Sequence, residues 1–124
     1  MEILKSYEKK VLNLLLSEIL SSVQLKELMR NAKLISYKYT GCGYFLTIAH
    51  PDLPKERIVC SKPTLIGEVD GIKSGFVIFI ENNELTIECH DWGHEITVPE
   101  DFRDKNVQIK IATDMKKFVI KKGG

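Results

Sequence analysis

Phe76-Val77-Ile78-Phe79-Ile80-Glu81-Asn82-Asn83-Glu84-Leu85-Thr86-Ile87-Glu88-Cys89-His90-Asp91 is the stretch that decides the fold. Phe76 to Ile80 is continuously apolar, the pattern of a strand buried on both faces. Asn82-Asn83 follows, and asparagine tolerates the positive φ that a two-residue hairpin turn demands. Glu84 to Asp91 then alternates, with Leu85, Ile87 and Cys89 on one face and Thr86, Glu88 and His90 on the other. The stretch predicts an antiparallel hairpin at the centre of a sheet.

Upstream, the period of two continues back to residue 34. Leu65–Val69, Ile58–Cys60, Tyr44–Ala49 and Leu34–Thr40 are expected as strands, with Tyr37 and Tyr39 sharing a face. Pro51 and Pro54 make residues 50–57 a loop, and Gly41-Cys42-Gly43 marks a turn. Before residue 32 the period becomes helical. Ile3, Leu4, Tyr7, Val11, Leu14, Leu15, Glu18 and Ile19 form a stripe over residues 3–20, with Lys5, Glu8, Lys9 and Asn13 on the other side. Ser21-Ser22 offers a new N-cap for a short helix from Gln24 to Arg30, with Leu25, Leu28 and Met29 inward. Downstream, Glu95–Val98 reads as a short strand and Pro99–Asp104 as a single helical turn. Val107, Ile109 and Ile111 give a last strand, and Met115–Lys122 gives an edge strand or a free end. The expected class is α+β: two N-terminal helices packed on a mainly antiparallel sheet of five to seven strands. The expected organisation is a single domain over 1–124, helical over 1–31 and sheet over 32–122.

Charge is distributed unevenly. The 124 residues carry a net charge of only +1, yet residues 81–104 hold eight acids (Glu81, Glu84, Glu88, Asp91, Glu95, Glu100, Asp101 and Asp104) against one arginine, Arg103. With histidines neutral that segment stands at −7. Such a field attracts basic partners and repels nucleic acid and anionic membrane. No nucleic-acid or membrane partner is therefore expected. The competing reading of the acids is a solvated sheet face without a partner. Trp92 beside Gly93, set among the acids, favours an interface anchor.

Cys42, Cys60 and Cys89 match no disulfide framework and no CxxC zinc pattern, so free thiols in a reducing compartment are expected. The N-terminus lacks the pattern of a secretory signal, and Leu14-Leu15-Leu16 is the longest aliphatic run. A cytoplasmic location is expected. Cys89, His90 and His94, with Cys60 or His50, have the donor atoms for zinc, but Cys89 and His90 are adjacent in a strand and should face opposite ways. Cys42 and His50 are the other thiol–imidazole pair, without a supporting motif. No P-loop, GxGxxG, HExxH or GxSxG sequence is present. Lys116, Lys117, Lys121 and Lys122 form a basic tail that reads as a lysine-guarded edge. No catalytic residue, metal or cofactor is assigned.

Gly41-Cys42-Gly43-Tyr44-Phe45-Leu46-Thr47, Gly75-Phe76-Val77-Ile78-Phe79-Ile80-Glu81 and Leu85-Thr86-Ile87-Glu88-Cys89-His90-Asp91-Trp92-Gly93 together resemble small bacterial immunity proteins of contact-dependent growth inhibition and related polymorphic toxin systems. The resemblance spans residues 34–104. It implies a cytoplasmic protein without enzymatic activity that binds a cognate toxin domain, many such toxins being nucleases with basic clefts. It carries no residue-level binding map. The charge reading supplies the expected partner-binding set: Glu81, Glu84, Glu88, His90, Asp91, Trp92, His94, Glu95, Glu100 and Asp101. The alternatives are a small metal-binding protein or enzyme built on Cys89, His90 and His94, or a housekeeping domain that binds a ligand or a peptide along a sheet edge. The sequence leaves the oligomeric state open, since the apolar stripe of the first helix suits a dimer as well as a core.

Overall fold

In the computed structural model, residues 3–92 and 97–112 are described. The central hairpin forms as its sequence dictates. Strand β5 (Ile72–Glu81) and strand β6 (Glu84–Asp91) pair in unbroken register from Ser74↔Asp91 to Glu81↔Glu84. Asn82 and Asn83 both adopt positive φ, 54° and 63°, which matches the right-handed twist of the flanking strands. The turn also holds the proline loop. The Asn82 and Asn83 amides donate to the carbonyls of Lys55 and Pro54, and the Asn83 side chain donates to the Leu53 carbonyl.

Strand β1 (Lys33–Tyr39) and strand β2 (Tyr44–Ala49) form a second hairpin, and β2 pairs with the free side of β6. The far side of β5 is shared by two short strands. Strand β3 (Ile58–Cys60) pairs with Ile78–Ile80, and strand β4 (Leu65–Val69) pairs with Ile72–Gly75. Strand β7 (Gln108–Ile111) closes the order β1-β2-β6-β5-β4-β7. Every pairing is antiparallel. The seven strands sit at the top of the expected range, and the class is α+β.

Helix α1 (Ser6–Leu16) and helix α2 (Ser22–Asn31) cover one face of this sheet. The Ser21 hydroxyl accepts from the Gln24 amide, so α2 starts where the serine pair placed its cap. The first helix is shorter than the expected 3–20, because after Leu16 the chain tightens, with the Ile19 and Leu20 amides both donating to the Leu16 carbonyl. Its buried stripe is also rotated. Tyr7, Glu8, Val11, Leu12, Leu15 and Leu16 face the sheet, while Leu14 is only partly buried. They meet Tyr44, Leu46 and Ile48 of β2, Leu85, Ile87 and Cys89 of β6, and Phe76, Ile78 and Ile80 of β5 in a single core. No helix among the described residues is long and apolar enough to cross a membrane.

The rotation brings in a charge that the sequence placed outside. Glu8 is 0% exposed. Arg103, on the 3-10 helix Glu100–Asp104, clamps it with Nε at 2.8 Å from Oε2 and a second nitrogen at 3.0 Å from Oε1. Such a bidentate fork is the strong form of this pair. The Lys5 amide and the Tyr44 hydroxyl also donate to Glu8. The single Tyr44 proton is used there, so the one Tyr7 proton is shared between the Tyr44 hydroxyl at 2.9 Å and the Arg103 carbonyl at 3.2 Å. The guanidinium carbon lies 5.1 Å from the Tyr37 ring centre. Burial works against the Arg103 charge, but the hydrogen bonds and field of Glu8 hold its pKa above the ordinary value. Arg103 is thus a core tie between α1, the 3-10 helix and the sheet, not one charge of a surface block.

Two outcomes follow. Arg103→Ala leaves a buried carboxylate without its partner, and is expected to lower unfolding free energy by about 3–5 kcal/mol in urea denaturation; Glu8→Leu with Arg103→Met should recover most of that loss. A single-mutant loss below about 1 kcal/mol would contradict the clamp. Burial first, and the neighbouring Glu8 second, raise the Tyr7 and Tyr44 phenols well above the ordinary value of 10.0. Above that pH the unfolded chain releases protons that the fold retains, so stability is full below it and falls as pH rises. In a tyrosinate absorbance titration, Tyr7 and Tyr44 should ionise only as the fold is lost. Ionisation of all tyrosines with secondary structure intact would be the opposite result.

Candidate functional site

Strand alternation sorts every chemistry-bearing residue of the hairpin onto one of two faces. On the face away from the helices, cross-strand register builds two rows. One runs Val59, Phe79, Thr86, Thr47, Ser36, and the next runs Val77, Glu88, Phe45, Lys38. The Thr47 and Thr86 hydroxyls meet at 2.8 Å across β2 and β6. No described element packs over these rows, and Val59 and Phe45 remain exposed. The continuous apolar run Phe76–Ile80 is therefore buried on one face only, with Val77 and Phe79 intermediate on the other.

Glu81, Glu84 and Glu88 share the parity of this open face. Glu81 and Glu84 stand directly opposite each other at the hairpin end. With Arg57, Phe79 and Thr86 they line a shallow depression of about 320 Å³. Like charges directly opposite disfavour the sheet, so nothing in the local fold recommends this pair.

At the other end of the hairpin lie His90 and Trp92. Gly75, opposite His90 in the register, makes room for both. A Cβ at Gly75 would lie 2.4 Å from His90 Cε1 and 3.1 Å from Trp92 Cε3. The two rings therefore rest on the bare backbone of β5. His90 Nδ1 is 3.0 Å from the Asp91 carbonyl, and since a carbonyl only accepts, that nitrogen carries a proton.

The remaining acids go elsewhere. Asp91 faces the helix side and accepts from the Val98 amide at 3.0 Å, while the Tyr39 hydroxyl donates to the Val98 carbonyl. Asp91 thus fastens the segment that leads to the 3-10 helix. Glu100 and Asp101 project from that helix, also on the side of α1. Asp101 is 3.8 Å from Lys105, and Asp104 is 2.9 Å from Lys5. The hydrogen bond and charge of Lys5 hold the Asp104 carboxyl below its usual range. The acidic segment is continuous in sequence but divided by the sheet in space. Of the ten residues expected at the partner interface, Glu81, Glu84, Glu88, His90 and Trp92 lie along the open side of the hairpin. Asp91, Glu100 and Asp101 lie on the other side, and His94 and Glu95 fall outside the described residues. Of the strand expected at Glu95–Val98, residues 95 and 96 also fall outside the described residues, while Thr97 and Val98 form no strand, Val98 being bonded to the Asp91 and Tyr39 side chains instead; the strand expected at Met115–Lys122 and the lysine tail fall wholly outside them.

The thiols are equally separated. Cys89 faces the core and His90 the open side, as their adjacency requires. Burial pushes the Cys89 thiol up to about 12, and burial raises Cys60 as well. His50 is buried, accepts from the Asp52 amide through Nδ1, and lies 3.5 Å from Glu27, so it ties the proline loop to α2. Among the described residues no three His, Cys, Asp or Glu side chains are grouped to hold a metal. Phe45, Val59 and Val77 were missed as candidate site residues. The alternation of their strands was visible, but which face the helices would cover was not.

Comparison with protein-family models, with curated proteins and with solved structures finds no match to this chain.

A thiol-specific reagent added to the native protein is expected to modify Cys42 rapidly, since it alone is exposed. Cys60 and Cys89 should react only after denaturant is added, because the thiolate is the reactive form and burial suppresses it. Rapid loss of Cys89 in the native state would contradict the inward placement of its strand face.

Proposed function

We propose that this chain is a binding protein of the immunity type, which captures and neutralises a cognate toxin domain through the open face of its sheet. The supporting observation is that Glu81, Glu84 and Glu88 share one strand face with Phe45, Val59, Val77 and Phe79. Exposed and half-buried apolar side chains interleaved with carboxylates, on a face that no described element covers, give the mixed composition of a protein interface. The occupant is a basic protein surface, because Glu81 and Glu84 stand together at the hairpin end with Arg57 the one cation among the described residues lining the depression beside them. A toxin nuclease, whose cleft is built to hold phosphates, has that chemistry. Capture by such a face needs no catalytic group of its own. The carboxylates speed encounter, and the apolar side chains Phe45, Val59, Val77 and Phe79 hold the complex once formed.

The reading narrows the expected site to the open face: Glu81, Glu84, Glu88, His90 and Trp92 remain, joined by Phe45, Val59, Val77 and Phe79. The acids of the 3-10 helix are left out because the sheet separates them from it.

The experiment begins with affinity capture of the partner from the source organism, followed by association kinetics with the purified pair. Glu81→Lys with Glu84→Lys is expected to slow association roughly ten- to hundredfold at low salt and to flatten its dependence on ionic strength. Glu100→Lys with Asp101→Lys should leave the rate within about twofold, being away from the interface. A larger effect from the second pair than from the first would overturn the assignment, as would a partner that is acidic.

A further inference from the structure

β3 and β4 share the edge of β5 but do not join smoothly. Cys60 pairs with Ile78 and Ile66 with Gly75, so Ser61–Leu65 must span the distance that Phe76 and Val77 cover on β5. The surplus chain bulges away, and Phe76 and Val77 have no partner residue in β3 or β4. The result is a groove of about 270 Å³ across β5. Ser61, Lys62 and Thr64 form one wall and His90 and Trp92 the other, with Gly75 and Val77 between them.

The lining has a consistent chemistry. Among the described residues no carboxylate lines the groove, and Lys62 supplies a positive charge. The Ser61 and Thr64 hydroxyls and the Lys62 ammonium have no hydrogen-bond or ion-pair partner among the described residues, and neither does His90 Nε2. With Nδ1 committed to the Asp91 carbonyl, Nε2 is the nitrogen left to meet a ligand. Hydroxyl and ammonium donors along one wall suit an oxyanion. Val77 and the Trp92 ring add an apolar surface beside them. The volume lies just under the usual range for drug-sized ligands, which limits the occupant to a small molecule.

We propose that this groove binds a small oxyanion, a carboxylate or a phosphate monoester, whose flat apolar body lies against Trp92. Lys62 and the two hydroxyls hold the anionic group, and His90 closes over it from β6. Gly75 is required because any side chain there displaces the rings that form the wall. The site shares His90 and Trp92 with the proposed toxin-binding face but does not rest on that reading, which needs neither Lys62 nor the bulged segment.

Trp92 is the only tryptophan in the chain, so its fluorescence reports the groove directly. The full-length protein is titrated with phenyl phosphate, inorganic phosphate, benzoate and, as a cation of similar shape, benzylamine, with amide chemical shifts followed in parallel. Saturable binding of phenyl phosphate or benzoate is expected, with shifts centred on Lys62, Thr64, Gly75 and Val77. Benzylamine should not bind. Phenyl phosphate without benzoate would assign the phosphate source and benzoate without phenyl phosphate the carboxylate source, whereas inorganic phosphate binding alone would contradict the apolar body placed against Trp92. Lys62→Gln and Gly75→Ala should each weaken binding tenfold or more; an unchanged amide spectrum elsewhere shows that the fold is kept. The proposal fails if no anion saturates by about 10 mM, the weak end of specific affinity. It also fails if benzylamine binds as well as benzoate, or if a correctly folded Lys62→Gln retains full affinity.

Discussion

The buried pair of Glu8 and Arg103 is the constraint on which the arrangement of the molecule depends. The wholly buried Glu8 charge is not tolerable alone in the core, and the partly buried Arg103 fixes it through two hydrogen bonds at 2.8 and 3.0 Å. Glu8 sits on α1, Arg103 on the 3-10 helix 95 positions later, and Tyr44 in the sheet between them. Three segments that share no local sequence are thereby held to one geometry. The second Arg103 contact, to the Ile3 carbonyl at 2.8 Å, ties the chain ahead of α1 to the same point. An apolar core of leucines and isoleucines gives most of the favourable free energy of folding but accepts several packings. A buried ion pair with its hydroxyl partners accepts few. The view that it selects the rotation of α1 on the sheet is our hypothesis, and the double replacement with Leu and Met, refolded and compared in structure, tests it.

This tie makes the sheet two-sided. α1, α2 and the 3-10 helix all lie against one face, where Tyr44, Leu46, Ile48, Leu85 and Ile87 are almost wholly removed from water. The other face retains polar and apolar residues in alternating rows, stiffened by the Thr47–Thr86 hydroxyl contact. Long paired strands beneath a surface keep its side chains in place, so binding there orders little new structure and loses little entropy. Gly43 shows how closely the strands approach: a Cβ on it would lie 1.8 Å from the Cys89 carbonyl oxygen. The proposed binding face therefore sits on long, continuously paired strands.

Much of this architecture was legible in the sequence because it is local. The Asn82-Asn83 turn, the Ser21 cap and the strands Tyr44–Ala49, Ile58–Cys60, Leu65–Val69 and Glu84–Asp91 each follow from periodicity or turn chemistry within a few residues. The inward Cys89 and outward His90 follow from alternation alone. What the sequence hid is long-range. Glu8 looks like a solvated helix residue until Arg103 is brought to it, and Arg103 looks like a lone cation in an acidic run. Eight acids close in sequence suggest one patch, but a strand, a turn and a 3-10 helix distribute them to both sides of the sheet. Asp91 in particular is used to hold the Val98 backbone. The groove at Ser61–Thr64 depends on a register offset between β3 and β4, and no composition signal marks such an offset.

The most direct test of the central claim is a map of amide chemical shifts on the labelled protein as its captured partner is added. The account predicts that perturbations concentrate on the open-face positions of β2, β3, β5 and β6, including Phe45, Val59, Phe79, Glu81, Glu84 and Glu88, with α1 and α2 unmoved. Perturbations concentrated on α1, α2 and Glu100–Asp104, with the open face silent, would contradict it and place the interface on the helical side.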